Sequence, residues 1–206
     1  MKIDVIIPTY KPDEKLEKNL RMLRRQTLQP DRILLINTEE SLFHSKEFGK
    51  LPQGEIVHIK KSEFDHGGTR NRAAAMCDGD IIVLLTQDAI PADEYLLENL
   101  TKPFEDPEVC AAYGRQMADW KDNPVEAYTR TFNYPKESRI KSKEDLPLLG
   151  IKTFFCSYVC AAYRKSVYDA MGGFPLHTIF NEDMIFASRL IEAGKKIAYE
   201  ADAKVW

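Results

Sequence analysis

The sequence is poor in cysteine, and none of its cysteines forms a CxxC pair. Cys77, Cys110, Cys156 and Cys160 give no zinc framework. Cys156 and Cys160 lie in an apolar stretch, where a thiol reads as a small core hydrophobe. Unpaired thiols fit a reducing setting, so the expected location is cytoplasmic. Long hydrophobic runs are also missing. The longest reach about six residues, far below the ~20 that cross a bilayer, so no membrane span is expected. Met1-Lys2-Ile3-Asp4 does not open a signal peptide, because an acid follows at once and the apolar run is short. Positive charge is not in surplus: 29 Lys and Arg face 32 Asp and Glu, for a net charge of −3. That balance argues against a nucleic-acid partner. His44, His58 and His177 are scattered without metal-ligand spacing and read as structural. There is no phosphate-binding loop ending in Gly-Lys-Ser/Thr and no GxGxxG after the first apolar run, which excludes a P-loop enzyme and a dehydrogenase.

What is present is one strong alternation of elements. The 206 residues suffice for one substantial core. Ile3 to Ile7 is β-branched and reads as a strand that Pro8 stops. Asp13 is an N-cap for a helix carrying Leu16, Leu20 and Leu23. Ile33–Ile36 and an edge-like Ile56–Ile59 are further strands. Phe64–Gly68 reads as a turn and Thr69–Met76 as a helix. Ile81–Leu85 has no alternation, so both of its faces are expected to be covered. A helix over Ala92–Leu100 and a strand over Val109–Tyr113 complete a β-α-β-β-α-β-α-β series. Such a series implies an α/β fold with a mostly parallel sheet and helices on both faces. The stretch Lys121–Leu149 turns polar and proline-punctuated and reads as a helix plus a mobile loop. Beyond it come a long apolar strand over Thr153–Tyr163, a helix over Glu182–Ala193 and a short strand over Ile197–Tyr199.

In open parallel sheets ligands sit beyond the carboxyl ends of the strands. The residues there are Thr9 and Tyr10; Asn37, Thr38 and Glu39; Lys61 to Arg70; and Gln87 and Asp88. Asp88 either holds a divalent cation against a diphosphate or caps the next turn, and spacing leaves both open. Gly67-Gly68 before a helix lets a ligand approach the backbone, and Arg70 is placed to pair with phosphate; an ordinary tight turn with a solvated Arg is the competing reading. Glu182 and Asp183 stand in the first turn of a helix. The helix dipole explains them cheaply, and equally keeps a carboxylate ionised for work as a general base.

In this order the segments resemble glycosyltransferase family 2, with its GT-A (nucleotide-diphospho-sugar transferase) fold. Val5-Ile6-Ile7-Pro8-Thr9-Tyr10 is similar to that family's opening strand and nucleotide-contacting turn. Thr69-Arg70-Asn71 is similar to its Arg-Asn helix start, and Thr86-Gln87-Asp88-Ala89 falls where the family has its Asp-x-Asp metal motif. Gly172-Gly173-Phe174 followed by Glu182-Asp183 resembles its acceptor-side turn and Glu-Asp motif. The stretch Phe64–Asn71 and the Gln-Asp-Ala form are similar to bacterial rhamnosyltransferase-like members. The resemblance implies an inverting, metal-dependent transferase that moves a sugar, rhamnose by likeness, from a nucleoside diphosphate to a saccharide or lipid-linked saccharide during surface polysaccharide synthesis. Its donor half would run over about residues 1–115 and its acceptor half over about 116–206. Pro8, Thr9, Tyr10, Asn37, Glu39, Asp65, Arg70 and Gln87 would hold the donor, Asp88 would hold Mg2+ or Mn2+, and Asp183 would be the catalytic base. Its work would be at the inner face of the membrane.

Two features depart from the family pattern. Asn37 and Glu39 stand where acids usually follow the second strand, and the metal motif keeps a single carboxylate. Many members also carry a His ligand and further helices after the last strand, so the resemblance implies a longer protein than the sequence ending at Trp206. A sugar nucleotidyltransferase would want a Gly-rich basic loop after the first strand, which Thr9-Tyr10-Lys11-Pro12 does not supply. An inactive domain of the same fold stays open as an alternative.

Overall fold

The computed structural model describes residues 1–118, 123–178 and 180–206. The chain opens with β1 (Ile3–Tyr10), α1 (Glu14–Leu23), β2 (Arg32–Thr38), β3 (Gly54–Ile59), α2 (His66–Ala75), β4 (Ile81–Leu85), α3 (Leu96–Thr101) and β5 (Val109–Gln116). This is the expected series. It continues with α4 (Pro124–Asn133), β6 (Arg139–Lys141), α5 (Leu146–Leu149), β7 (Cys160–Arg164), α6 (Lys165–Ala170), α7 (Glu182–Glu192) and β8 (Lys196–Val205).

The strands form one sheet in the order β3-β2-β1-β4-β7-β5-β8-β6. The pairs β1–β2, β1–β4, β2–β3 and β5–β8 are parallel, whereas β7 runs against β4 and β5, and β6 against β8. β4 is fully buried, as its unbroken apolar run demands. Two apolar layers flank the sheet. Leu16, Leu20 and Leu23 of α1 and Leu96, Leu97 and Leu100 of α3 pack on one face. Ala73 and Ala74 of α2, Tyr168 of α6, and Phe186, Ala187, Leu190 and Ile191 of α7 pack on the other. All four cysteines are free and buried.

The structure redraws several expected boundaries. β1 runs through Pro8 to Tyr10. Pairing with β4 ends at Ile6, so a residue without an N–H is tolerated beyond that point. α2 begins at His66, capped by the Asp65 side chain on Gly68 N, which puts Gly67 and Gly68 inside its first turn. The segment Gly150–Phe154 is a 3₁₀ helix, and the strand expected from Thr153 starts only at Cys160. Phe154 and Phe155 of that run both pack against the core, Phe155 edge-to-face with Tyr113 and Tyr134, rather than alternating across a sheet. β8 is ten residues long, because Ala201, Ala203 and Val205 alternate inward with Glu200, Asp202 and Lys204. In the polar stretch, Lys121 and Asp122 lie outside the described residues; the expected helix is α4, and the part expected as a loop carries β6 and α5.

Candidate active site

The chain reverses its direction of winding at β1: β2 lies on one side and β4 on the other. Ligand crevices open at such a switch point, at the carboxyl ends of the strands. Gln87 bridges it. Tyr10 N–H donates to Gln87 Oε1 at 3.0 Å, and Gln87 Nε2 donates back to Tyr10 O at 3.2 Å. The side chain thus extends the β1–β4 ladder past its last backbone pair. The Tyr10 ring stays exposed between two ammonium groups, Lys11 Nζ at 5.3 Å and Lys61 Nζ at 6.0 Å from its centroid.

Thr9 and Asn37 form the buried floor beside this clamp. Thr9 Oγ1 donates to Asn37 Oδ1 at 3.1 Å. Asn37 Nδ2 donates to Glu39 O at 3.1 Å and lies 3.0 Å from His58 Nδ1. Asn37 is 0% exposed, so it supports the crevice from below and presents no surface to a ligand. Glu39 sits at the lip with φ +65°, and its Oε1 accepts from Lys61 N at 2.6 Å.

Asp88 follows on the β4 side. It is exposed, and its carboxylate makes no hydrogen bond or ion pair among the described residues. Nor do three His, Cys, Asp or Glu side chains gather there into a metal cage. One free carboxylate suits a cation whose other ligands are phosphate oxygens and water, as magnesium-type ions prefer. Ile90 N and O exchange hydrogen bonds with Trp206 O and N, so the end of β8 lies alongside this turn.

The acceptor side is reached through two bonds. Thr86 N donates to Val159 O at 3.1 Å, and Tyr158 N donates to Asp183 Oδ2 at 3.3 Å. Asp183 and Asp88 therefore flank the same edge of the sheet. Met184 N also donates to Asp183 Oδ1 at 2.8 Å. Burial nonetheless wins: desolvation raises the Asp183 carboxyl above its ordinary value of 3.8, against the backbone donors and with help from the charge of Glu182. The backbone donors at the helix start pull in the direction expected of a helix N-terminus, and desolvation outweighs them in setting the direction of the shift. A more basic carboxylate is the better proton acceptor.

Arg70 is only 5% exposed. Its guanidinium lies 3.9 Å above the Tyr158 ring and Nη1 donates to His66 O at 2.8 Å. Burial pulls it below its ordinary value, and Tyr158 and Glu182 oppose that shift. Aromatic and backbone partners thus hold Arg70 inside the fold, where an open two-point phosphate contact had been expected. Glu182 is 0% exposed, with both carboxylate oxygens unpartnered among the described residues and His66 Nδ1 3.9 Å away.

Asn71 is the residue the sequence reading undervalued. Its Nδ2 donates to Phe174 O at 2.9 Å, while Oδ1 accepts from Phe174 N at 2.9 Å and Tyr168 Oη at 2.6 Å. Asp65 adds a second tie, accepting from His177 N at 3.0 Å. Helix α2, which starts beside the crevice, is thereby locked to the Gly172–His177 turn that precedes α7. Gly67 completes the lock: the Pro175 carbonyl fills the space a side chain would need, so this glycine admits protein backbone where a ligand had been expected.

Strand-end polar residues across a switch point, one free carboxylate and one carboxylate raised by burial at a helix start are the features this α/β domain brings together. The chain belongs to glycosyl transferase family 2, whose description matches residues 4–172. It is 43% identical over 206 residues to the O-antigen chain rhamnosyltransferase RfbN of Salmonella typhimurium, and 43% identical over 203 residues to the O-antigen chain rhamnosyltransferase WbaN of Salmonella anatum. These alignments cover 100% and 98% of the chain, which spans only 66% and 64% of the two relatives. Among solved structures, the mannosyltransferase PcManGT from Pyrobaculum calidifontis, in complex with GDP-Man and Mn2+, superposes with a TM-score of 0.70 at 18% identity. That match covers 99% of this chain and 56% of that one, and it carries the fold, which is GT-A.

Proposed function

We propose that this chain is the donor-binding and catalytic domain of an inverting glycosyltransferase acting in surface polysaccharide synthesis. The observation that carries the proposal is Asp183, a carboxylate made more basic by burial and facing the same sheet edge as the free carboxylate of Asp88. Relatives at 43% identity support rhamnose as the sugar and a growing saccharide, free or lipid-linked, as acceptor. No helix among the described residues is long and apolar enough to cross a membrane; a place in the cytoplasm, at the inner membrane face, belongs to the same proposal.

The donor's nucleoside lies over Thr9, Tyr10 and Glu39, with Pro8 and Gln87 shaping the ledge beneath it and Asp65 and Asn37 fixing the loops around it. Arg70 supports the base from behind. Mg2+ or Mn2+ held by Asp88 and the donor's phosphate oxygens would neutralise the departing diphosphate. Asp183 takes the proton of an acceptor hydroxyl. The hydroxyl oxygen bonds to the anomeric carbon as the carbon–oxygen bond to the diphosphate breaks on the opposite face, and the electron pair leaves on the diphosphate. The configuration inverts, and the proton ends on Asp183.

The test is sugar transfer by wild-type protein and Asp183→Asn, with binding followed separately. Turnover is expected to fall about 10²- to 10⁴-fold, with nucleotide affinity held within about threefold. The acid limb of wild-type turnover should lie above the ordinary aspartate value, since the rate is lost as pH falls through a raised value. Chelation should abolish transfer and Mn2+ restore it. Near-normal turnover by Asp183→Asn removes the base assignment; transfer undisturbed by chelation removes the metal.

A further inference from the structure

We infer that His58, on the edge strand β3, reads the nucleobase and selects uracil or thymine over cytosine. The inference rests on the donor-binding reading above.

The argument starts from Asn37. Its Nδ2 faces the carbonyl oxygen of Glu39 at 3.1 Å. A carbonyl only accepts, so this contact fixes which end of the amide is nitrogen. The same NH₂ group lies 3.0 Å from His58 Nδ1, and its second hydrogen points there. Nδ1 must therefore accept, and the neutral ring carries its hydrogen on Nε2. The ring is held in place by the edge of Phe43, with centroids 5.9 Å apart at 72°.

Nε2 makes no hydrogen bond among the described residues and is not among the buried unpartnered atoms. It is left for the cavity that His58 lines with Glu39, Glu40, Ser41, Lys60 and Glu63, a space of about 600 Å³. A fixed N–H donor, backed by a fully buried amide, thus meets whatever enters.

Strand order gives the direction of entry. Asp88 follows β4, Tyr10 ends β1, Glu39 follows β2 and His58 is on β3, and these four strands are consecutive in the sheet. Neighbouring strands are about 4.8 Å apart. A nucleotide with its diphosphate at Asp88 therefore extends outward, ribose first, and brings to β3 the base edge farthest from the ribose. In a pyrimidine that edge carries position 4, a carbonyl in uracil and thymine and an amino group in cytosine. An N–H donor bonds the carbonyl. Opposite the amino group it leaves two donors face to face, with no partner for either.

The experiment is calorimetric titration of UDP, dTDP and CDP, each with Mn2+, into wild-type protein, His58→Phe and His58→Gln. Phe keeps a ring against Phe43 without the donor; Gln keeps an amide donor at the reach of Nε2. Wild type is expected to bind UDP and dTDP about tenfold more tightly than CDP, a preference of one hydrogen bond. The preference should shrink to within about threefold in His58→Phe and persist in His58→Gln. Equal binding of UDP and CDP by wild type overturns the inference, whether or not His58→Phe folds. So does a preference that survives in a folded His58→Phe. If wild type binds none of the three, the donor-binding reading itself falls and this inference goes with it.

Discussion

A single methyl group on Gly67 is the sharpest structural perturbation available. Built there, a Cβ atom would stand 2.2 Å from Pro175 O and 3.2 Å from Phe174 Cβ. Carbon–oxygen contacts ordinarily sit near 3.3 Å, so the carbonyl must retreat by about 1 Å. It is backbone and cannot rotate aside. Its neighbour Phe174 is 2% exposed and sits among the rings of Tyr158, Tyr163, Tyr168 and Phe186, and Asn71 holds both its N–H and its carbonyl. Overpacking of this kind costs about 1–3 kcal/mol, and more where backbone must move. Alanine's better helix propensity returns at most about 1 kcal/mol. We therefore expect Gly67→Ala to lose about 2 kcal/mol, a Tm lower by roughly 4–8 °C in a chain of this size.

Gly68→Ala is the matched control. Its Cβ meets Asp65 Oδ1 at 3.0 Å, Asp65 Cβ at 3.3 Å and Leu176 Cδ2 at 3.4 Å, so only side chains have to give, by a few tenths of an ångström, and no backbone carbonyl stands in the way. It should change Tm by roughly 2 °C or less. Scanning calorimetry reads both variants, and turnover against nucleotide affinity reads the consequence, since pushing the turn from α2 should lower turnover more than donor binding. A Gly67→Ala protein with unchanged or higher Tm refutes the packing argument. Equal losses in the two variants refute it as well, because they would reflect the helix start and not the Pro175 carbonyl.

Two further predictions concern stability. Asn71→Ala removes three hydrogen bonds at once; at about 1 kcal/mol each the loss is roughly 3 kcal/mol, and a urea midpoint unchanged from wild type would show that the clasp carries no weight. Burial pushes the thiols of Cys77, Cys156 and Cys160 from 9.0 up to about 12, so between those values the unfolded chain releases protons that the fold retains. Stability is then whole below pH 9 and falls above it, by up to ~1.4 kcal/mol per pH unit for each thiol. Urea midpoints measured from pH 8 to 10 should decline, with a shallower slope in Cys→Ala variants; a flat profile in wild type would contradict the thiol argument.

The fold from β1 to β5 was written in local patterns. The β-branched run of β1, the Asp13 cap, the leucine spacing of α1 and the unbroken apolar run of β4 each state their role within a few residues. β8 was equally legible: its alternation continues through Ala201, Ala203 and Val205, past the point where the reading stopped. Other features are not local. Phe155 looks like a strand residue until its packing on Tyr113 and Tyr134 is known. The antiparallel insertion of β7 between β4 and β5 follows from the packing of the whole sheet. In the candidate site, the positions of Asp183 at a helix start and Asp88 after a strand are local features that the sequence displays. The burial of Arg70 and Glu182 is not such a feature, because it depends on Tyr158, a residue whose apolar neighbours gave it no distinction. Asn71 was visible as part of a motif, but its three partners lie about a hundred residues away.

The two departures from the family's acidic pattern have one physical explanation. Gln87 must accept from Tyr10 N and donate to Tyr10 O. Asn37 must accept from Thr9 Oγ1 and donate to both Glu39 O and His58 Nδ1. A carboxylate only accepts when ionised, so an acid at either place would set lone pairs against a carbonyl. An amide offers both functions on one planar group. At both positions the amide serves internal bracing, while the carboxylates of Asp88 and Glu39 stand one and two residues further along the chain. On the proposed reading those two are the groups left to face a charged donor, and an acid in place of either amide would break the bracing without adding a usable charge.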